Sequence, residues 1–415
     1  MPTSRKVLML VENISVPADP RVWREACTLH RYGFQVSIIC PKGDKRDQEP
    51  YICLEGIHIY RYRLSTTINK SSDYIREYGV AMFMTFWLSL RVLFRHDFDV
   101  VHVANPPDTF FAIGLFYKLL RKKYVFDQHD LAPEIFHAKF QNRMKPLYSL
   151  LLFFERLSYK TADVVITTNE SQKRIALQRG GCAEGKVFVV RNGPDLTHFT
   201  EVKPDTTLKH GKPLLLAYVG VMGAQDGVEI VLHALHELVH VRKRQDVSLV
   251  LMGDGDQLPM LKALARTLDI EDVVHFAGWV MKADMLRYLS VTDIGLSPDP
   301  SNELNDHSTM LKTMEYMAMS KPVVAFDLPE TRFSAQDAAL YATPNEVTSF
   351  VDMIELLLDD EALRLHMGKL GRKRIEEVLC WEHTKVNLLL TYDALFPELA
   401  ASTLRTSDNP TPTFV

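Results

Sequence analysis

Cysteine is scarce in this chain: Cys27, Cys40, Cys53, Cys182 and Cys380 are scattered over 415 residues. None falls in a C-x-x-C pair, so neither a zinc site nor a disulfide framework is indicated, and reduced thiols in a cytoplasm are expected. Long apolar runs are missing too. The richest stretch, Tyr78 to Phe98, is interrupted by Thr85, Ser89 and Arg91. It is too short and too broken to span a bilayer and reads as a buried helix, with peripheral membrane contact the lesser reading. The opening residues M-P-T-S-R-K run straight into an apparent strand from Val7 to Val11, leaving no room for a signal peptide. The expected location is cytoplasmic, or at the inner face of a membrane. No G-x-G-x-x-G follows the first strand, where Asn13-Ile14-Ser15-Val16-Pro17 stands instead, which argues against a dinucleotide oxidoreductase. Asp299 and Asp306 resemble an acidic pair, but neither sits in a D-x-D strand end, so no metal and no other cofactor is expected.

What is present is an α/β pattern long enough for two domains. Strands are expected at 6–12, 34–40, 57–63, 100–104, 124–128, 164–168 and 187–191, with helices between most of them. The polar stretch Pro204 to Pro213 reads as a linker. A second series follows at 214–220, 247–253, 273–278, 294–297 and 322–326, then helices from about Glu346. These apolar runs lack alternation, as strands buried on both faces of a parallel sheet do. Two doubly wound sheets place ligands at the carboxyl ends of their strands. Domain one is expected over 1–203 and domain two over 204–379, with a disordered tail over 401–415. The net charge of −4 hides an asymmetry: residues 1–200 carry 28 basic against 20 acidic side chains, while 201–415 carry 20 against 32. Basic clusters at Arg121-Lys122-Lys123 and at Lys139, Arg143 and Lys145 would attract an anionic membrane surface or a phosphate-bearing acceptor. No nucleic-acid partner is expected.

The richest chemistry lies between Asn305 and Asp327, a polar loop, a short helix carrying one glutamate, and a buried strand. Ser308 or Thr309 is expected to cap the helix, and Met310, Leu311, Met314, Met317 and Ala318 give it an inward stripe. Lys312 and Glu315 lie three apart and share a face. Free amides at such a helix start bind phosphate, Lys312 adds a positive charge there, and Glu315 can accept hydrogen bonds from ribose hydroxyls.

Lys-x-x-Glu-Tyr-Met-Ala followed by Lys-Pro-Val-Val-Ala resembles the donor-site helix of the family-4 glycosyltransferases. Val189-Val190-Arg191-Asn192-Gly193-Pro194-Asp195, Tyr218-Val219-Gly220, Met252-Gly253-Asp254-Gly255 and Val274-His275-Phe276-Ala277-Gly278-Trp279 are similar to further motifs of that family, in the same order. The resemblance implies a GT-B fold, two Rossmann-like domains facing across a cleft, and a last helix at about 380–395 crossing back to the first. It also implies transfer of a hexose from a nucleotide diphosphate sugar, UDP-linked by family frequency. The transfer would retain anomeric configuration, need no metal, and serve a glycan or lipid-linked acceptor of envelope or exopolysaccharide assembly.

On this resemblance Gly220, Met222, Gly223, Gly253, Asp254 and Gly255 approach the diphosphate, and Gly278 and Trp279 hold the base. Ser308, Thr309, Met310, Lys312 and Glu315 complete the donor site. His129 faces the transferred sugar, and Asn13, Arg21, Asn105 and Asp130 line the acceptor side, with a capping or salt-bridge role equally open for Arg21. Two departures stand out. His307 occupies the place where many relatives carry the first glutamate of an E-x7-E pattern, so Asp306 or Glu303 would have to replace that carboxylate. The loop Gly220-Val221-Met222-Gly223-Ala224-Gln225-Asp226-Gly227 also lacks the Arg and Lys that neutralise the diphosphate in many relatives, which shifts the load onto Lys312. A nucleotide-sugar epimerase on the same fold and a catalytically inactive binding protein remain as alternatives.

Overall fold

The computed structural model describes residues 5–43, 46–64, 71–140, 145–200 and 202–397. The stretch 401–415, read as a disordered tail, and Arg143 of the second basic cluster lie outside them. The chain divides into two compact units, one of residues 1–190 with 385–415 and the other of residues 191–384. The helix Trp381–Leu395 thus begins in the second unit and contributes most of its length to the first.

Eight strands build the first unit: β1 Lys6–Leu10, β2 Gln35–Pro41, β3 Tyr51–Leu54, β4 Ile57–Tyr62, β5 Val100–Ala104, β6 Lys123–Gln128, β7 Val164–Thr167 and β8 Val187–Val189. Their order is β3-β4-β2-β1-β5-β6-β7-β8, all parallel except β3, which pairs antiparallel with β4. Strand β3 is absent from the expectation above: its four residues alternate exposed and half-buried, too short a run to announce itself. Helices 71–96, 111–119 and 145–161 cover one sheet face through Ala81, Val92, Ile113, Tyr117 and Tyr159, packed on Leu8, Leu10, Val101, Val103, Tyr124 and Phe126.

The first of these helices corrects the expectation of a buried helix. Only its inward stripe is covered, including Ala81, Thr85, Ser89 and Val92, while Phe83, Trp87 and Phe94 stand exposed.

The second unit holds β9 Leu214–Val219, β10 Val247–Met252, β11 Val274–Gly278, β12 Ile294–Ser297, β13 Val323–Phe326 and β14 Ala339–Ala342, in the all-parallel order β11-β10-β9-β12-β13-β14. The short β14 was also not foreseen. Neighbouring strand residues feed opposite cores, as the lack of alternation requires. Leu216, Tyr218, Leu249 and Leu251 face helices 228–236, 258–267 and 347–359. Leu215, Ala217, Val250 and Met252 face helices 282–291 and 311–318. Gly193 admits close backbone contact, since a Cβ there would lie 1.8 Å from the Leu379 carbonyl oxygen. The order of strands reverses between β1 and β5 in one sheet and between β9 and β12 in the other, and such reversals are where ligands bind in open α/β sheets.

Candidate functional site

At the second reversal the ladder between β9 and β12 stops early, after Ile294 faces Leu216 and Gly295 faces Ala217. Beyond that pair the phenol of Tyr316 takes over. Its hydroxyl accepts from Val219 N–H at 2.9 Å and donates to the Leu296 carbonyl at 3.1 Å. Gly295 makes room for it, because a Cβ there would sit 2.3 Å from the Tyr316 ring. The two strand ends are therefore held apart by a side chain of the helix Leu311–Ala318.

The opening so formed is lined by backbone. Gly220 adopts φ +152°, and a Cβ on it would lie 3.0 Å from the Tyr218 hydroxyl and 3.2 Å from Lys312 Cε. Gly253, at φ +148°, presses on Gly220, where a Cβ would come within 1.8 Å of the Gly220 carbonyl oxygen. A Cβ on Gly255 would lie 2.4 Å from the Met222 carbonyl oxygen. Hydrogen bonds from Met222 N to Asp254 O at 3.0 Å and from Gly253 N to Gly278 O at 2.8 Å tie the three strand ends into one rim. The Met222 side chain is fully buried in the core, so only its main chain serves this rim. Gly223 N is held by Asp226 Oδ2 at 3.0 Å, and the Asp254 carboxylate accepts from Gly255 N at 2.8 Å. Gly278 takes a left-handed φ of +67°, and Trp279 beside it is 69% exposed, free to stack on a flat ring. A cavity of about 460 Å³ adjoins them, lined among others by His275, Met281, Arg287 and Tyr288.

Lys312 enters this rim from below, and its environment was not legible in the sequence. It is nearly buried, its ammonium lies 2.5 Å from Asp299 Oδ1 and 5.1 Å from the centre of the Tyr218 ring, and Asp299 is held in turn by Ser297 Oγ at 2.7 Å. Burial raises the Asp226 carboxyl to about 6, with Lys312 opposing and Asp299 adding to the rise. The helix start differs from expectation: Met310 is the N-cap residue and no side chain caps the helix. Ser308 instead donates to Leu304 O at 2.7 Å and closes the preceding turn Asn305–His307. In that turn His307 Nδ1 pairs with Glu303 O at 2.8 Å, and Asp306 accepts from Ser301 Oγ at 3.2 Å. Asn305 fastens it to the β9 loop by donating to Gln225 O at 2.9 Å. Thr309 is half-buried between this turn and the helix, and Glu315 lies half-buried one turn beyond Lys312.

In the first unit the structure gathers three of the expected residues. The Asn105 side-chain Oδ1 accepts from the main-chain N–H of His129 at 2.7 Å and of Asp130 at 3.1 Å, and its Nδ2 donates to Asp130 O at 2.8 Å. Asn13 is exposed after β1. Arg21 is 3% exposed and presents no free surface. It bridges Asp127 Oδ1 at 3.0 Å, Glu25 Oε1 at 3.1 Å and the Val190 carbonyl at 2.9 Å, so the salt-bridge role is the one the structure shows.

Sequence reasoning passed over Asp127 as a separate actor. It sits two residues before His129, hence on the same side of the strand end, and accepts from His129 Nε2 at 2.6 Å and His102 Nε2 at 3.3 Å. The other His102 nitrogen meets the Tyr392 hydroxyl at 2.8 Å. Burial opposes ionisation of Asp127, but Arg21, His129 and the two imidazole hydrogen bonds overcome it and hold its carboxyl well below the usual range. His129 is raised despite its burial, chiefly by Asp127. Glu25 is pushed up to about 7 by burial, and neither of its oxygens is in hydrogen-bond geometry. Glu25, His102 and Asp127 lie close enough to share an ion. The Arg21 guanidinium between the two carboxylates already supplies their countercharge.

The model of "Glycosyltransferase Family 4" matches residues 21–198, and that of "Glycosyl transferases group 1" matches 213–360. The chain is 22% identical to a chitobiosyldiphosphodolichol beta-mannosyltransferase of Debaryomyces hansenii, over 75% of this chain and 70% of that protein. It spans little more than half the length of other curated relatives it matches. Among solved structures it is similar to a sucrose-phosphate synthase from Thermosynechococcus elongatus, with TM-score 0.76, 16% identity and coverage of 95% of this chain and 100% of that one. It is also similar to HepE of Anabaena in complex with UDP, with TM-score 0.69, 15% identity and coverage of 94% and 100%. At these identities the likeness speaks for the fold, which is GT-B. Both halves match in the family's order, and on that ground the chain belongs to the family-4 glycosyltransferases.

Proposed function

We propose that this protein transfers a sugar from a nucleotide diphosphate sugar, with UDP as the nucleotide, to a glycan or lipid-linked acceptor. The observation that carries the reading is the rim at the β9–β12 reversal, where the strand-end main chain of Gly220 and Gly253 packs closely together beside the buried Lys312, whose Cε would lie 3.2 Å from a Cβ on Gly220. An ammonium has three donors and Asp299 uses one, which leaves two for phosphate oxygens. Departure of the nucleotide develops negative charge on the leaving oxygen, and a cation fixed in a partly dry site lowers that barrier. In this reading Lys312 supplies the countercharge and no divalent ion is needed.

Glu315 holds the ribose and Trp279 stacks near the base. His307 and Asp306 hold hydroxyls of the transferred sugar. In the first unit His129, whose imidazole is raised by the Asp127 carboxylate against the opposing effect of burial, orients hydroxyls of the sugar or its acceptor. Retention of configuration, with the leaving phosphate taking the acceptor proton, is part of the proposal. The dolichol-linked substrate named for the yeast relative and the basic first half of the chain both support a diphosphate-bearing lipid acceptor.

A thermal-shift panel of nucleoside diphosphates and their sugars tests the donor. A true donor at about 100 times its dissociation constant adds roughly 2.7 kcal/mol of stability, and the same compound must be consumed when acceptor lipids are added in the presence of a chelator. No shift with any of them would overturn the reading. Conversion of donor to an isomer without acceptor would identify an epimerase instead.

A further inference from the structure

We propose that the outward face of helix 71–96, continued by helices 111–119 and 145–161, is a docking surface for an anionic lipid bilayer. Val80, Phe83, Trp87 and Phe94 fall within about 60° of one another around the helix at 3.6 residues per turn. Phe83 is 65%, Trp87 61% and Phe94 86% exposed, against complete burial of Ala81, Thr85, Ser89 and Val92 on the other side. A soluble helix is amphipathic the other way round, with its apolar stripe inward and polar groups outward. Here both sides are apolar, and the polar Thr85 and Ser89 are the ones turned in.

The face extends over its neighbours. Phe86 and Phe116 meet edge to face at 5.1 Å, and Phe111 lies 6.1 Å from Phe154, so the three helices form one layer. Leu115, Leu119, Leu150 and Phe153 are exposed on the second and third. The stretch Glu77–His96 has the length and hydropathy of a membrane span, yet Ser89 is bonded to the Tyr117 hydroxyl at 2.7 Å and the inward stripe belongs to the sheet core. A helix fastened along one whole side lies flat. It can bury its outer side chains at the headgroup boundary but cannot cross.

Charge selects the partner. From Tyr78 onward the three helices carry a single acid, Glu155, which is buried, while Arg91, Arg95, Arg156 and Lys160 are exposed on them, Arg121 on the adjoining turn and Lys123 at the start of β6. Asp97 at the helix end is neutralised by Lys122 at 2.7 Å. Aromatic and aliphatic tips bordered by arginine and lysine complement acidic phospholipid headgroups, whereas a second copy of the same face would bring like charges together.

This inference does not depend on the transfer reaction, because vesicle binding needs no nucleotide. The whole chain is expected to co-sediment with vesicles of phosphatidylcholine containing phosphatidylglycerol, far less with phosphatidylcholine alone, and less again in high salt. The triple variant F83S/W87S/F94S and the pair R91E/R95E should each weaken binding by roughly tenfold or more. As these side chains are exposed, circular dichroism should be unchanged. Brominated lipids should quench the native protein and lose most of that effect in Trp87→Phe, which reports insertion without disturbing the face. Failure of the native chain to bind anionic vesicles would overturn the proposal. So would a concentration-dependent dimer that the serine variant dissolves, since the face would then be covered by a second copy.

Discussion

Glu25→Gln is expected to stabilise the first unit at alkaline pH and to leave it unchanged in acid. The Glu25 carboxyl is wholly buried and raised from 4.5 to about 7, with desolvation the largest cause and Arg21 the main opposing one. A carboxyl raised in the folded state contributes stability that is fully present below its unfolded value. That contribution is lost as pH climbs through the folded one. The gap between 4.5 and about 7 is worth about 3 kcal/mol, all of it forfeited above pH 8. Glutamine keeps the neutral shape at every pH, and Arg21 retains Asp127 at 3.0 Å. The variant should therefore gain about 3 kcal/mol at pH 8 and almost nothing at pH 4.5. Denaturant midpoints at the two pH values, followed by Trp23 with Trp87, Trp279 and Trp381 replaced by Phe in both proteins, would measure this. Equal destabilisation by glutamine at both pH values would refute the argument, since Glu25 would then be an ionised and needed partner of Arg21.

Lys312→Ala should weaken nucleotide-sugar affinity by roughly 10- to 100-fold and, by stranding buried Asp299, lower the stability of the second unit by about 3–5 kcal/mol. Calorimetric titration and melting curves separate the two effects. Asp226 titrates at about 6 beside Lys312, so its charge appears as pH rises through that value and opposes a bound diphosphate. Affinity for a nucleotide sugar, whose phosphates do not titrate in this range, should therefore fall between pH 5 and 7.5, and the trend should vanish in Asp226→Asn. Asn105→Ala removes the acceptor that fixes the His129 and Asp130 amides and should cost about 1–3 kcal/mol, with a fall in kcat larger than the change in donor KM.

Much of the strand-end rim was legible because it is made of main chain. Glycines at 220, 253, 255 and 278 fall at strand ends, and a strand end followed by glycine is visible as a pattern. What was hidden is pairwise. Nothing in the spacing of Asp299 and Lys312, thirteen residues apart, announces a buried ion pair, and the cap expected at Ser308 was lost to a local bond with Leu304. Arg21 and Glu25, His102, Asp127 and Tyr392 come from four separate elements, and only the two-residue step from Asp127 to His129 left a trace. The helix 71–96 was misjudged for a different reason: composition reports how apolar a helix is but not how many of its sides find protein.

The phenol of Tyr316 sets the width of the opening between β9 and β12. Because one oxygen is bonded to both strands, neither can drift toward the other, and the helix bearing Lys312 and Glu315 cannot slide without dragging them along. The opening is thus dimensioned by the thickness of an aromatic spacer. In the proposed reaction, fit here is to a fixed gauge, and adaptive movement has to come from elsewhere, such as the loop to which Asn305 is bonded.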